Sequence, residues 1–289
     1  MTNIQRSFFV GDKWLYYKIF CGHSSSNKIL LDILKPLNEE FISNKIITQW
    51  FFIRYNDPSN HIRYRIKLKD ENNIGKVILR INEALKEFIK HEFIWNIQID
   101  TYNREIERYG ENTMEISESI FFNDSRIILT LLDLLETNNE KHILSLLGIK
   151  IIDFYLECFK FSPVEKLQFC ESLKSAFYNE FGINKLSKKQ FDMLYNDNND
   201  KINNILTDKK INKLIIPYKK EFIKNTSQIL DIKNDNALEV NFNNLLSSYI
   251  HMSINRLFSG NNRMHELISY DFLWRYYKKI NYQIINNPS

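Results

Sequence analysis

The segment HIRYR places His61, Arg63 and Arg65 at alternate positions. On a β-strand alternate residues share a face, so these three would line one side while Ile62, Tyr64 and Ile66 line the other. A guanidinium group stays cationic and offers a planar fork that fits carboxylate or phosphate. Such a row suits an anionic ligand; the plain alternative is a sheet face that carries arginine into water. Trp50, Phe52 and Arg54 alternate along the preceding segment, and helices laid over the same face would make the arginines line a cleft. Arginines kept there need anionic partners, because an unpaired buried charge is costly.

Two further clusters carry chemistry. NREIERYG at 103–110, if extended, sets Arg104, Ile106 and Arg108 on one face and Glu105, Glu107 and Tyr109 on the other, ahead of a glycine that permits a turn. A salt-bridged strand end would look the same. HMSINRLFSGNNR at 251–263 reads as a helix on which His251 and Asn255, four apart, share a face with Arg256 beside them. A lone helical histidine is more often structural, and HxxxN is not a metal site. The sequence contains no HExxH, GxSxG, P-loop or GxGxxG motif, so hydrolase, NTP-dependent and nicotinamide readings lose ground.

Positioning these groups calls for a sheet and a helical layer. Phe8–Cys21 is aromatic and β-branched and reads as a strand or hairpin. SSSN at 24–27 offers N-cap residues for KILLDILKPLNEEFI, whose apolar residues fall at helical spacing. Ile46–Tyr55 predicts a second strand, NDPSN a turn, and HIRYRIKLK a third strand. Val77, Ile81, Leu85 and Phe88 predict a helix over 74–91, and IWNIQIDTYNREIER a fourth strand. That order matches a split βαβ or ferredoxin-like arrangement, an antiparallel sheet backed by two helices with its other face free. From Thr113 onward the patterns are helical, apart from the polar stretch 197–213, which reads as a surface excursion without chemistry. The expected fold class is α+β, a single domain over 1–289 with a sheet part at 1–112 and a helical part at 113–289.

Composition bounds the rest. The 289 residues are 44% hydrophobic and can bury a sizeable core, while 39 basic and 35 acidic side chains leave a net charge of only +4. That balance argues against direct nucleic-acid binding. Cys21, Cys158 and Cys170 are far apart and show no zinc spacing, so a reducing, cytoplasmic setting without a structural metal is expected. No apolar run reaches the roughly 18 residues of a membrane span.

Taken jointly, the motifs resemble the elimination domain of class I lanthipeptide dehydratases, which also stands alone among thiopeptide-type bacteriocin biosynthesis proteins. The resemblance rests on IRYNDP followed by HIRYRI, then REIERYG with Met114 and Asp124-Ser125 downstream, then HMSINR with Asn262-Arg263 and Glu266, and FLWRYY at 272–277. It implies a lyase that removes glutamate from glutamylated Ser or Thr of a ribosomal precursor peptide, leaving dehydroalanine or dehydrobutyrine. It further implies no cofactor, a precursor-peptide substrate, a separate tRNA-dependent glutamylating subunit as the other half of a split enzyme, and a homodimer. The residues the family needs fall on Arg63, Arg65, Arg108 and His251, with Arg104, Tyr109, Asn255, Arg256 and His61 expected to contact substrate. Histidine suits proton transfer near neutrality and the arginines suit the glutamyl carboxylate. The sequence departs from the family at Glu111, where a second glycine is common, and at LFSGNN after HMSINR. Two other readings compete: a pyridine-forming cyclase of thiopeptide pathways, and a noncatalytic subunit that captures precursor by strand addition.

Overall fold

A computed structural model describes residues 4–138 and 141–286. The short strand β1 (Ser7–Phe8) turns at Gly11 into β2 (Trp14–Cys21). Helix α1 (His23–Lys28) continues through a π-helical turn (Ile29–Leu34) into α2 (Lys35–Ser43). Its N-cap is Gly22, with no side-chain cap, so the serines expected to precede the helix lie inside it, and Ser26 Oγ donates to the His23 carbonyl. Strands β3 (Ile47–Asn56) and β4 (Asn60–Leu68) form a hairpin; α3 (Ile74–Lys90) buries Val77, Ile81 and Leu85; β5 (Ile94–Asp100) follows.

The fourth strand ends earlier than its alternating pattern suggests. After β5 the chain forms β6 (Tyr102–Asn103), which pairs with β1, and then the helical turn α4 (Ile106–Tyr109). Arg108 and Tyr109 N–H both donate to the Glu105 carbonyl and Gly110 N–H to that of Ile106. Ile106 and Tyr109, three apart, are the buried pair, so the strand-face assignment of Arg104 with Arg108 does not hold. The remaining elements are α5 (Met114–Thr137), α6 (Leu144–Cys158), α7 (Pro163–Glu180), α8 (Lys185–Thr207), α9 (Lys209–Asn234), α10 (Phe242–Leu257) and α11 (Asn262–Asn286). Stretch 197–213 is helical as well: Ile202, Ile205, Leu206 and Ile211 are buried, so its few apolar residues fall on inward faces.

The four-stranded sheet has the order β3-β4-β2-β5 with every neighbour antiparallel. Register fixes its two faces. Arg65 lies opposite Phe51 and Tyr16, Arg63 opposite Ile53 and Lys18, and His61 opposite Tyr55 and Phe20. Arg54 pairs with Ile62 and Phe52 with Tyr64, so Trp50, Phe52 and Arg54 occupy the face away from the arginine row, contrary to the sequence expectation. The loop between the paired Asn56 and Asn60 has three residues, which sets odd positions opposite odd ones. On the Ile62 face, Tyr64 is fully buried and its hydroxyl donates to Asn38 Oδ1 of α2 at 2.6 Å.

The chain divides into two compact units that do not follow its order: Met1–Asp133 with Gln228–Gly260, and Leu134–Ser227 with Asn261–Ser289. The first holds the sheet and α10. In the second, α11 packs on α6 and α7, and Asp153 accepts from Lys166 Nζ at 2.7 Å and from the Tyr277 hydroxyl.

Candidate active site on the arginine face

Arg65 is 7% exposed, and its guanidinium carbon lies 4.5, 5.3 and 4.9 Å from the ring centres of Tyr16, Phe51 and Tyr102. Its Nε and Nη1 are buried without a hydrogen-bond partner. Ring faces offset part of the desolvation cost of a cation but accept no N–H, so these two donors, on different edges of the guanidinium, remain available to acceptors brought by a ligand. The cage rests on folded parts: Trp14 meets Phe51 and Tyr102 edge to face, and the Tyr102 hydroxyl donates to buried Glu118 of α5 at 3.0 Å.

One row along, Arg63 lies flat on Tyr55, 3.3 Å from its ring centre. Its Nε donates to His61 Nε2 at 3.2 Å, which requires the His61 proton on Nδ1, and that atom donates to the Ser59 carbonyl at 2.8 Å. Burial, backed by the charges of Arg63 and Lys18 against the Ser59 bond, holds the His61 pKa below its ordinary value. His61 is therefore a neutral buttress for Arg63, 3% exposed and packed on Phe20. Beside Arg63 in register, Lys18 Nζ lies 2.5 Å from Asp100 Oδ2. The sequence reading missed this pair, because only the strand order sets β2 between β4 and β5.

Arg108 joins from α4. Its Nε donates to Ser248 Oγ of α10 at 3.0 Å and its Nη1 reaches Glu105 at 3.3 Å. His251, partly exposed, stands one turn beyond Ser248 on α10. The ring of Tyr109 contacts Phe121, and Phe121 contacts Phe51 of the Arg65 cage, with centroids 5.0 and 5.3 Å apart. Arg65, Arg63, Arg108 and His251 all belong to the first compact unit, in which this aromatic chain links the Arg65 cage to α4.

The other expected contacts are committed to the protein. Asn255 Oδ1 accepts from the Arg54 backbone N–H at 3.1 Å, and Arg256 Nε donates to the Phe52 carbonyl at 2.7 Å. With Ser125 Oγ accepting from Phe52 N–H, these side chains satisfy the free edge of β3. Arg256 is 0% exposed and paired with Asp124 at 2.8 Å. Arg54 is buried without a carboxylate: Nε donates to the Arg256 carbonyl, Nη1 to Ser26 Oγ and Nη2 to Asn27 Oδ1. Burial pushes its pKa down to about 10. Arg104 makes a bidentate bond to Glu118, both contacts 2.7 Å, and Tyr109 is buried against Tyr249. Gly110 needs its missing side chain, since its φ is +76° and a Cβ would meet Thr113 Oγ1 at 3.2 Å. The next residue, Glu111, docks its N–H on Glu239 Oε2 at 2.6 Å. Among the described residues no His, Cys, Asp and Glu cluster could hold a metal, and no helix is long and apolar enough to cross a membrane.

Comparison with known proteins identifies the family. The family model described as lantibiotic biosynthesis dehydratase C-term matches residues 14–277. Nisin biosynthesis protein NisB of Lactococcus lactis subsp. lactis is 30% identical over 264 residues, covering 90% of this chain and 25% of NisB. Subtilin biosynthesis protein SpaB of Bacillus subtilis is 28% identical over 174 residues, covering 59% of this chain and 17% of SpaB. The chain thus spans about a quarter or less of the length of these relatives. Among solved structures, the tRNA-dependent lantibiotic dehydratase MibB from Microbispora sp. 107891 superposes with a TM-score of 0.71 at 17% identity, over 97% of this chain and 29% of MibB. The pyridine synthase TbtD from thiomuracin biosynthesis superposes with a TM-score of 0.65 at 10% identity, over 94% of this chain and all of TbtD. Those two likenesses are of fold. With the match extending from the first residue of β2 into α11, the chain belongs to the lantibiotic biosynthesis dehydratase C-terminal family.

Proposed function

We propose that this sheet, whose strand order is that of a split βαβ or ferredoxin-like unit, carries a glutamate-eliminating lyase acting on glutamylated Ser or Thr of a ribosomally made precursor peptide. The observation that carries the reading is Arg65: a caged guanidinium whose Nε and Nη1 have no hydrogen-bond partner among the described residues. Such a cation, caged by rings and lacking a carboxylate, supports binding of an anionic leaving group, which supplies an acceptor and the missing charge. Elimination takes the proton from Cα, forms the Cα–Cβ double bond and breaks the Cβ–O bond, releasing glutamate as its carboxylate. Arg65 and Arg63 hold the glutamyl carboxylates, Arg108 joins them from α4, and His251 is the proton-transfer group; Tyr109, Asn255, Arg256, Arg104 and His61 hold these groups in place. Proton transfer by a positioned side chain contributes about 10²–10⁴-fold.

The test uses a precursor peptide carrying glutamyl-serine. Incubation with the protein should release free glutamate and leave dehydroalanine in the peptide, read by mass spectrometry. Persistent glutamyl adducts, under conditions in which a related dehydratase clears them, would reject the reading. Formation of a six-membered nitrogen ring from a peptide with two dehydroalanines would transfer it to the cyclase class.

A further inference from the structure

A glutamyl ester keeps two charges whichever of its carboxyl groups is esterified: one free carboxylate and one ammonium. The arginines answer only the first. An ammonium close to Arg63 and Arg65 would be repelled unless a carboxylate stood within reach. The register of the sheet identifies that carboxylate. On the arginine face, β3 contributes Gln49, Phe51, Ile53 and Tyr55, and β4 His61, Arg63, Arg65 and Lys67. On the same face β2 contributes Trp14, Tyr16, Lys18 and Phe20, and β5 Asn96, Gln98 and Asp100. Asp100 is the one carboxylate in that set.

We propose that Asp100 and Lys18 form the subsite that reads the glutamyl group, Asp100 taking its ammonium and Lys18, together with Arg63, its free carboxylate; this rests on the elimination reading above. Lys18 lies opposite Arg63 in register and contacts Asp100 at 2.5 Å, with side chains 23% and 43% exposed, so a ligand can reach both. The Asp100 carboxylate is oriented from behind by Thr101 N–H, which donates to Oδ1 at 2.7 Å. Its hydrogen bond to Lys18, then the Thr101 bond and the charges of Lys18 and Arg63, hold its pKa below the ordinary carboxylate value, so it is anionic at neutral pH. An ion pair this exposed contributes little to stability. Opening it for a zwitterion costs little, because each ion exchanges one partner for another.

The competing carboxylates are engaged otherwise. Glu118 is buried and bonded to both Arg104 and Tyr102, and Glu105 sits on Arg108. Glu105 is accessible, so the experiment includes it.

Peptides carrying glutamyl-serine and glutaryl-serine differ in the ammonium alone, and any intrinsic difference in leaving-group reactivity cancels when variant and wild type are compared. For wild type, Asp100→Asn, Lys18→Met and Glu105→Gln, kcat/KM is measured on both esters. We expect Asp100→Asn to lower the glutamyl-to-glutaryl ratio about tenfold or more, mainly through KM, because the ammonium then meets a neutral amide. Lys18→Met should slow both esters and leave the ratio within about twofold, since the free carboxylate is common to them. An unchanged ratio in Asp100→Asn, or a collapse of the ratio in Glu105→Gln instead, overturns the assignment while the elimination reading stands. Failure of the wild-type protein to act on either ester rejects that reading and this inference with it.

Discussion

Arg65 and Arg256 are both nearly or wholly buried, yet their surroundings differ in kind. Arg256, on α10, pairs with Asp124 and donates to the Phe52 carbonyl, so it serves the edge of the sheet. Arg65, on β4, has rings around it and no anion. Both keep a buried N–H without a partner, so what separates them is the carboxylate: Asp124 pairs with Arg256, and no described residue supplies one to Arg65. A paired guanidinium has its stabilising partner inside the fold, whereas an unpaired one is held ready for a partner from outside.

The contrast can be broken by exchanging what each arginine does. The largest expected effect is Arg256→Met, which leaves Asp124 buried with one partner fewer and should cost about 3–5 kcal/mol in urea unfolding. Next, Arg65→Met should lower elimination a hundredfold or more, about 2.7 kcal/mol, while the urea midpoint stays near wild type. A stability loss in Arg65→Met as large as that of Arg256→Met would erase the distinction. Asn255→Ala should cost about 1–3 kcal/mol by orphaning the Arg54 N–H, and should lower elimination indirectly, as α10 loosens along β3. The smallest effect concerns His61, which burial holds below its ordinary pKa. The unfolded chain takes up its proton near pH 6.5 and the folded protein resists it. The stability so contributed is whole above that pH and is lost as pH falls through the folded pKa. His61→Gln should flatten the acid side of a stability-against-pH curve; an unchanged slope would mean that His61 does not titrate with unfolding.

Much of this was legible in the sequence. β4, α3 and α10 announce themselves through a period of two or of 3.6, and the arginines of HIRYR sit on one face as the alternation requires. NREIERYG misled because four residues of helix are too few to separate those periods; Ile106 and Tyr109, three apart, were the available sign. Arg54 misled for want of register. A three-residue loop between Asn56 and Asn60 would have set Tyr55 against His61 and hence Arg54 on the other face. Lys18 and Asp100 were beyond reach, because their meeting depends on β2 lying between β4 and β5, and no local pattern encodes that order. The commitment of Asn255 and Arg256 to β3 was hidden for a similar reason, since it joins residues 201 to 204 apart in the chain.

That last separation gives the closed edge of β3 a temporal dimension. In the folded protein, Ser125, Asn255 and Arg256 occupy the outward N–H and C=O of Phe52 and the N–H of Arg54, so a strand from another molecule finds those groups taken. During synthesis the same groups emerge long before their partners. At about 5–20 residues per second the ribosome needs roughly 10–40 s to add the residues between Phe52 and Arg256. Throughout that interval the hairpin of β3 and β4 presents an uncovered edge, which makes the nascent chain, rather than the finished protein, the species most exposed to aggregation and to capture by chaperones.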